Sequence, residues 1–277
     1  MSRVFTYEEI SNRRIPTKEQ IANFVHKPHG QLGRCSAVVA GVLYGSVVRR
    51  EHNRGSDIDV LLVYQDGQME TLLESLGPLK QEANNLNIPL HVGIYENSFF
   101  QTVFCEVFPL FRAFIQTSED IIKIKEHINT LLPSHSRPCQ YDLEKDLLSY
   151  VEKKYRNIND RIADIPFLDE KDLCSFLQDI LELPYHIARK VLYVDFDIDM
   201  DMTKSKTSEV FLAKMNNGTH KPFSDLVECD CLYQSKLEKY IACGIDKNNW
   251  YVEQISLLLN YSPAALKLLE SIAMRNT

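Results

Sequence analysis

Asp57 and Asp59 stand one residue apart at the head of an apolar run, Ile58-Asp59-Val60-Leu61-Leu62-Val63-Tyr64. A short run of this kind, rich in branched residues, predicts a buried strand. Strand side chains alternate, so the two carboxylates project to one side and Ile58 to the other. Neighbouring carboxylates repel unless a cation neutralises them, and hard divalent cations favour oxygen ligands. A cation held there can bridge phosphate oxygens and orient an in-line displacement. Ten residues separate this pair from Gly45-Ser46, which closes an earlier run of strand formers. Glycine lets backbone approach a phosphate closely, and Ser46 adds a hydroxyl and an N–H donor. Arg49, Arg50 and Arg54 lie between the two halves; a triphosphate needs positive charge beside it, and Arg49 is the residue expected to touch it. Alone, Asp-x-Asp marks an exposed strand end and Gly-Ser a turn. Strand, Gly-Ser, basic spacer, Ser56-Asp57-Ile58-Asp59 and apolar strand in sequence are much rarer than the pieces.

The surrounding elements must position these groups. A helix is expected over 6–28, with Thr17 able to cap its later part and Pro28 and Gly30 ending it. Strands are expected at 36–44, 58–64 and 89–95, with a fourth at 111–116. The spacing of Met69, Leu72, Leu73 and Leu76 predicts a helix that breaks at Gly77-Pro78. Beyond residue 132 the pattern changes. Leu143, Leu147, Val151, Tyr155, Ile158 and Ile162 form an amphipathic helical stripe. A second helix is expected over 170–193, kinked or broken at Pro184. Others are expected near 208–215, 224–242, 248–259 and 263–274, the last opened by Ser262-Pro263. The expected fold is an α/β domain over 1–132, a mixed sheet flanked by helices, then an all-α helical bundle over 133–277. Residues 133–138 would link them.

Composition limits the partners. The chain has 277 residues, 44% hydrophobic and 25% charged, with a net charge of −7. Its halves carry −2 (1–132) and −5 (133–277), without the basic excess of a polyanion binder. A cationic or neutral acceptor fits better. No apolar run approaches the ~20 residues that span a bilayer, and the N-terminus lacks the apolar stretch of a signal peptide. Seven cysteines, an odd number without repeating spacing, fit reduced thiols in the cytoplasm. Cys229 and Cys231 are too close for ordinary paired zinc ligands.

Gly45, Ser46, Arg49, Ser56, Asp57 and Asp59 together resemble the signature of the polymerase-β-like nucleotidyltransferase superfamily. An α/β domain followed by a helical one is similar to the layout of the two-domain aminoglycoside nucleotidyltransferases. The resemblance implies transfer of a nucleoside monophosphate from an NTP, with ATP the expected donor, to a hydroxyl of a small-molecule, aminoglycoside-like acceptor. Pyrophosphate would leave. Mg²⁺, or Mn²⁺ in its place, would sit on Asp57 and Asp59, with Gly45, Ser46, Arg49 and Ser56 around the nucleotide. A protein or RNA acceptor, as in toxin–antitoxin enzymes, is a second reading; a degenerate module that only binds nucleotide is a third. The family usually adds a third carboxylate from a neighbouring strand. Here the strand around 88–95 has His91 in that place. His91 is then a general base, its ordinary pKa lying near neutrality; or Glu96 or Glu106 supplies the carboxylate; or the site is degenerate.

Two features of the second half also carry charge. Asp195, Asp197, Asp199 and Asp201 alternate with apolar residues, as in an interhelical loop or an extended segment with one wet face; an acidic lip for an amine-bearing acceptor is the sharper reading. Glu182 and His186 are helical i, i+4 neighbours, a solvated or interhelical pair. No histidine lies between Arg156 and Arg161, so the arginine–histidine pair of some helical ribonucleases is lacking there.

Overall fold

The computed structural model describes residues 4–5, 16–49, 57–117, 122–126, 128–132, 137–215 and 217–275. The chain divides into two compact units, residues 14–143 and residues 144–277 joined by 1–13.

The first unit is built on a four-stranded mixed sheet. Strand Ile58–Tyr64 lies at its centre, antiparallel to Val38–Tyr44 on one side and parallel to Leu90–Glu96 on the other. Ile122–Lys125 pairs antiparallel with the outer edge of Val38–Tyr44. Alternation along the strands feeds two cores. Val38, Leu43, Ile58, Val60, Leu62 and Tyr64 face Ile21, Phe24, Leu32, Leu72, Leu76 and Leu79, which come from helices Lys18–Phe24, His26–Leu32 and Met69–Asn85. Val42, Leu61 and Val63 face the opposite way, toward Phe100, Phe104 and Ile115. Fully burying a side chain of this size stabilises by roughly 1.5–3 kcal/mol, so each face fixes the sheet's register strongly.

Three local expectations are corrected. The helix over 69–85 runs straight through Gly77-Pro78. Its stripe Leu72, Leu76, Leu79 and Ala83 is buried, and that burial outweighs the ~3 kcal/mol that an interior proline costs. Thr17 does cap a helix: its hydroxyl accepts from the Gln20 N–H at 3.1 Å, and the Gln20 side chain accepts from the Thr17 N–H at 2.8 Å. Pro28, however, ends nothing. It is the third residue of helix His26–Leu32, where its missing N–H would have no intrahelical acceptor. Residues 111–116 form no strand but most of helix Pro109–Thr117. Phe111 and Phe114 are spaced one helical turn apart, and both contact Tyr44. The fourth strand is the short, partly charged Ile122–Lys125 instead. Residues 6–15 of the 6–28 helix expectation fall outside the described residues; the described part forms two helices, Lys18–Phe24 and His26–Leu32, in place of one. Most of the expected linker also falls outside the described residues.

The second unit is helical, with Gln140–Ile162 leading into it, then Glu170–Phe196, Lys204–Lys214, Asn217–Cys243 and Lys247–Ala273. The stripe predicted from 143 to 162 is buried at Leu143, Leu147, Val151 and Ile158, with Tyr155 and Ile162 half-buried. Pro184 and Pro263 both lie inside continuous helices, so Ser262-Pro263 opens no helix. Ser262 is fully buried, as are Leu258, Ala265 and Leu269 around it; a continuous buried stripe overrides the breaker. The unit is not purely helical, because Val4–Phe5 pairs antiparallel with Ile245–Asp246. No helix of the described residues is long and apolar enough to cross a membrane.

Candidate active site

Strand pairing assembles the chemistry. Tyr44 stands opposite Asp59 in the antiparallel pair, and Asp59 stands opposite His91 in the parallel one. All three side chains therefore share one face of the sheet, and Asp57, two residues before Asp59, joins them. His91 Nδ1 lies 3.0 Å from Asp57 Oδ2 and 3.8 Å from Asp59 Oδ1. One ligand atom from each of the three lies within 4.8 Å of the others. The side chains are 68% exposed at His91, 37% at Asp57 and 25% at Asp59, so the site opens toward solvent on the histidine side.

Gly45 turns the chain out of strand Val38–Tyr44 with φ +88°, a left-handed conformation that favours glycine. A β-carbon there would sit 2.7 Å from Asp59 Oδ2. The turn that follows is closed by the Arg49 N–H, which donates to the Gly45 carbonyl at 3.3 Å. Ser46 and Arg49 thus belong to one turn beside the carboxylates. Ser56, Arg50 and Arg54 lie outside the described residues.

The electrostatics match the crowding. Burial first, and then the Asp57 carboxylate, push Asp59 up from 3.8 to about 7, while Arg49 pulls it down. Burial and a like charge both disfavour an ionised carboxylate. Tyr44, on the same face, was not singled out in sequence. Burial and the charge of Asp59 push its hydroxyl above its ordinary value, so it stays protonated at neutral pH. Its ring meets Phe111 and Phe114 edge-on, each at 5.7 Å. The only signal for Tyr44 was its position before Gly45; its register with Asp59 is a tertiary fact.

A divalent cation fits this donor set. Adjacent ligands of an octahedral ion with ~2.1 Å bonds stand ~3 Å apart, and opposite ones ~4.2 Å. The 3.0 and 3.8 Å separations at His91 fall in that range. Glu96, one expected source of a third carboxylate, stands opposite Tyr64 at the far end of its strand and faces the Tyr64 hydroxyl. Glu106 is exposed on helix Phe104–Val107. Among the described residues the cluster of metal-competent groups consists of Asp57, Asp59 and His91.

In the helical unit the singled-out residues are engaged elsewhere. Asp195 takes a two-pronged contact from Arg275, at 2.9 and 3.3 Å. Asp197 adopts φ +55° and ends helix Glu170–Phe196, a role that Asp tolerates. The alternating aspartates thus begin in a helix and pass through its cap. Glu182 receives Lys204 at 2.8 Å and stands 4.0 Å from His186.

Residues 28–128 match the family model of the nucleotidyltransferase domain. That segment is therefore similar to the nucleotidyltransferase domain family. The match encloses Gly45, Ser46, Arg49, Ser56, Asp57, Asp59 and His91. The matched segment therefore encloses the whole carboxylate–histidine cluster. A distant likeness is found to the crystal structure of spectinomycin adenyltransferase AAD(9) from Enterococcus faecialis with ATP and spectinomycin. That likeness covers 90% of this chain and 99% of the other, at 15% identity and a TM-score of 0.47. No curated protein matches the sequence.

Proposed function

We propose that this nucleotidyltransferase moves a nucleoside monophosphate from ATP, or another NTP, to a hydroxyl of a small-molecule acceptor. The observation that carries this reading is the convergence of Asp57, Asp59 and His91 on one sheet face, within 3.0–3.8 Å at the histidine, inside the matched domain. Asp57 and Asp59 hold the cation, Mg²⁺ or Mn²⁺. When bound, it neutralises phosphate charge and fixes the triphosphate for in-line attack. The turn from Gly45 to Arg49 lies along the phosphates: Gly45 permits close backbone approach, Ser46 donates, and Arg49 supplies positive charge. Ser56 completes the nucleotide contacts. The acceptor oxygen bonds to the α-phosphorus, the bond to the β-phosphate oxygen breaks, and pyrophosphate leaves. His91 stands where it can take the acceptor's proton or serve as a ligand. The domains are taken as 1–132, which holds the nucleotide, and 133–277; the net charge of −7 favours a neutral or cationic acceptor in the cytoplasm.

Incubation with each labelled NTP, Mg²⁺ or Mn²⁺, and a panel of aminoglycosides, spectinomycin, lincosamides, tRNA and the protein itself tests the reading. Label on a small molecule, with stoichiometric pyrophosphate, is the expected result. Label on tRNA or protein would move the acceptor class. Transfer that persists in an Asp57→Asn/Asp59→Asn variant would sink the mechanism.

A further inference from the structure

We infer that His91 is the third metal ligand through Nδ1, and that this site consequently selects Mn²⁺ over Mg²⁺. The inference rests on the reading that Asp57 and Asp59 hold a cation. Three observations lead to it.

First, His91 is aimed at the carboxylates. The residue lies directly across from Asp59 in a parallel ladder, and its Nδ1 approaches Asp57 at 3.0 Å and Asp59 at 3.8 Å. A nitrogen directed at both acids occupies a coordination position between them. With Nδ1 on the cation the neutral ring carries its proton on Nε2, so His91 in this role is a ligand and not the acceptor's base. Second, no other metal-competent group among the described residues joins the cluster; Glu96 lies at the far end of the strand. Third, Asp59 is the less exposed of the two acids, at 25% against 37% for Asp57, and the Gly45 turn lies directly beside its Oδ2, so His91 is the neighbour on the cluster's open side.

Ligand chemistry then sets the ion. Mg²⁺ favours all-oxygen octahedra with several waters, whereas imidazole suits softer first-row cations. Mn²⁺ takes carboxylate oxygen readily, and it stands at the weak end of the first-row affinity order for nitrogen-containing sites, an order to which Mg²⁺ does not belong. An Asp–Asp–His set therefore penalises Mg²⁺ relative to an all-carboxylate set and penalises Mn²⁺ less.

The test is a Mn²⁺ titration of the full chain, read by the loss of the free-ion electron paramagnetic resonance signal, with Mg²⁺ as competitor. Wild type, His91→Asp, His91→Ala and Asp57→Asn/Asp59→Asn are compared. His91 is 68% exposed, so its substitutions should leave the melting temperature near wild type. The expected result is a Mn²⁺ preference that falls at least tenfold in His91→Asp. Spin-echo modulation from an imidazole nitrogen should appear in wild-type Mn²⁺ protein and vanish in His91→Ala. An unchanged Mn²⁺/Mg²⁺ ratio in His91→Asp, or no nitrogen modulation in wild type, overturns the inference while nucleotidyl transfer is still measured separately. Mn²⁺ binding that survives in Asp57→Asn/Asp59→Asn overturns both the ligand assignment and the metal site on which it rests.

Discussion

Gly45 and Asp59 occupy each other's space: a β-carbon at residue 45 would fall 2.7 Å from the Asp59 carboxylate oxygen. The glycine also holds φ +88°, so two independent constraints exclude a side chain there. Gly45→Ala should lower stability by about 1–3 kcal/mol and displace Asp59 or the turn. Nucleotide affinity should fall alongside. Chemical denaturation and NTP titration of the same variant check both; a variant as stable as wild type would show that the turn relaxes freely.

Removing the acids separates chemistry from folding. Asp57→Asn and Asp59→Asn should each cut transfer by about 10³-fold, the equivalent of several kcal/mol of lost charge stabilisation. Neither should lower the melting temperature of the metal-free protein, because each relieves carboxylate repulsion. Pyrophosphate release and thermal melts on the same samples provide the readout.

The raised pKa of Asp59 predicts a pH dependence. The folded value is about 7 against an ordinary 3.8, so the folded state holds a proton that the unfolded state has already released. That contribution to stability is fully present below pH 3.8 and is lost as pH rises to about 7. Bound cation requires the ionised carboxylate, so its apparent affinity should rise over the same approach to neutrality. Calorimetry at pH 6 and pH 8 should show weaker cation binding at pH 6 by about tenfold, a difference that Asp59→Asn abolishes.

Phe104 anchors the helices over the site's side of the sheet. It is fully buried and stacks on Phe100 at 4.3 Å, with Tyr95 edge-on at 5.0 Å. Phe104→Ala should destabilise by about 3–5 kcal/mol, measured by urea unfolding.

Asp230 holds the helical unit together through polar contacts. It is 5% exposed and accepts from the Tyr185 hydroxyl at 2.9 Å and from Lys204 at 3.3 Å. Asp230→Ala leaves both donors short of this acceptor, although Lys204 keeps Glu182 at 2.8 Å. A loss of about 2–3 kcal/mol is expected, by the same unfolding measurement.

Local sequence was enough for whatever rests on short-range pattern. The strand Ile58–Tyr64, the common side of Asp57 and Asp59, the Thr17 cap and the stripe from Leu143 to Ile158 all follow from periodicity or capping chemistry within a few residues. Sequence misjudged the breakers, because Pro78 and Pro263 sit in helices whose buried stripes outweigh their cost. It misjudged 111–116 as well, because an aromatic run suits a strand or a helix until a partner such as Tyr44 selects one. Above all, it could name His91 without deciding what His91 faces. That required the parallel pairing of Leu90–Glu96 with Ile58–Tyr64, which places His91 beside Asp59 and carries Glu96 away. Register between strands distant in sequence is set by which faces both can bury together, and that is a property of the assembled sheet.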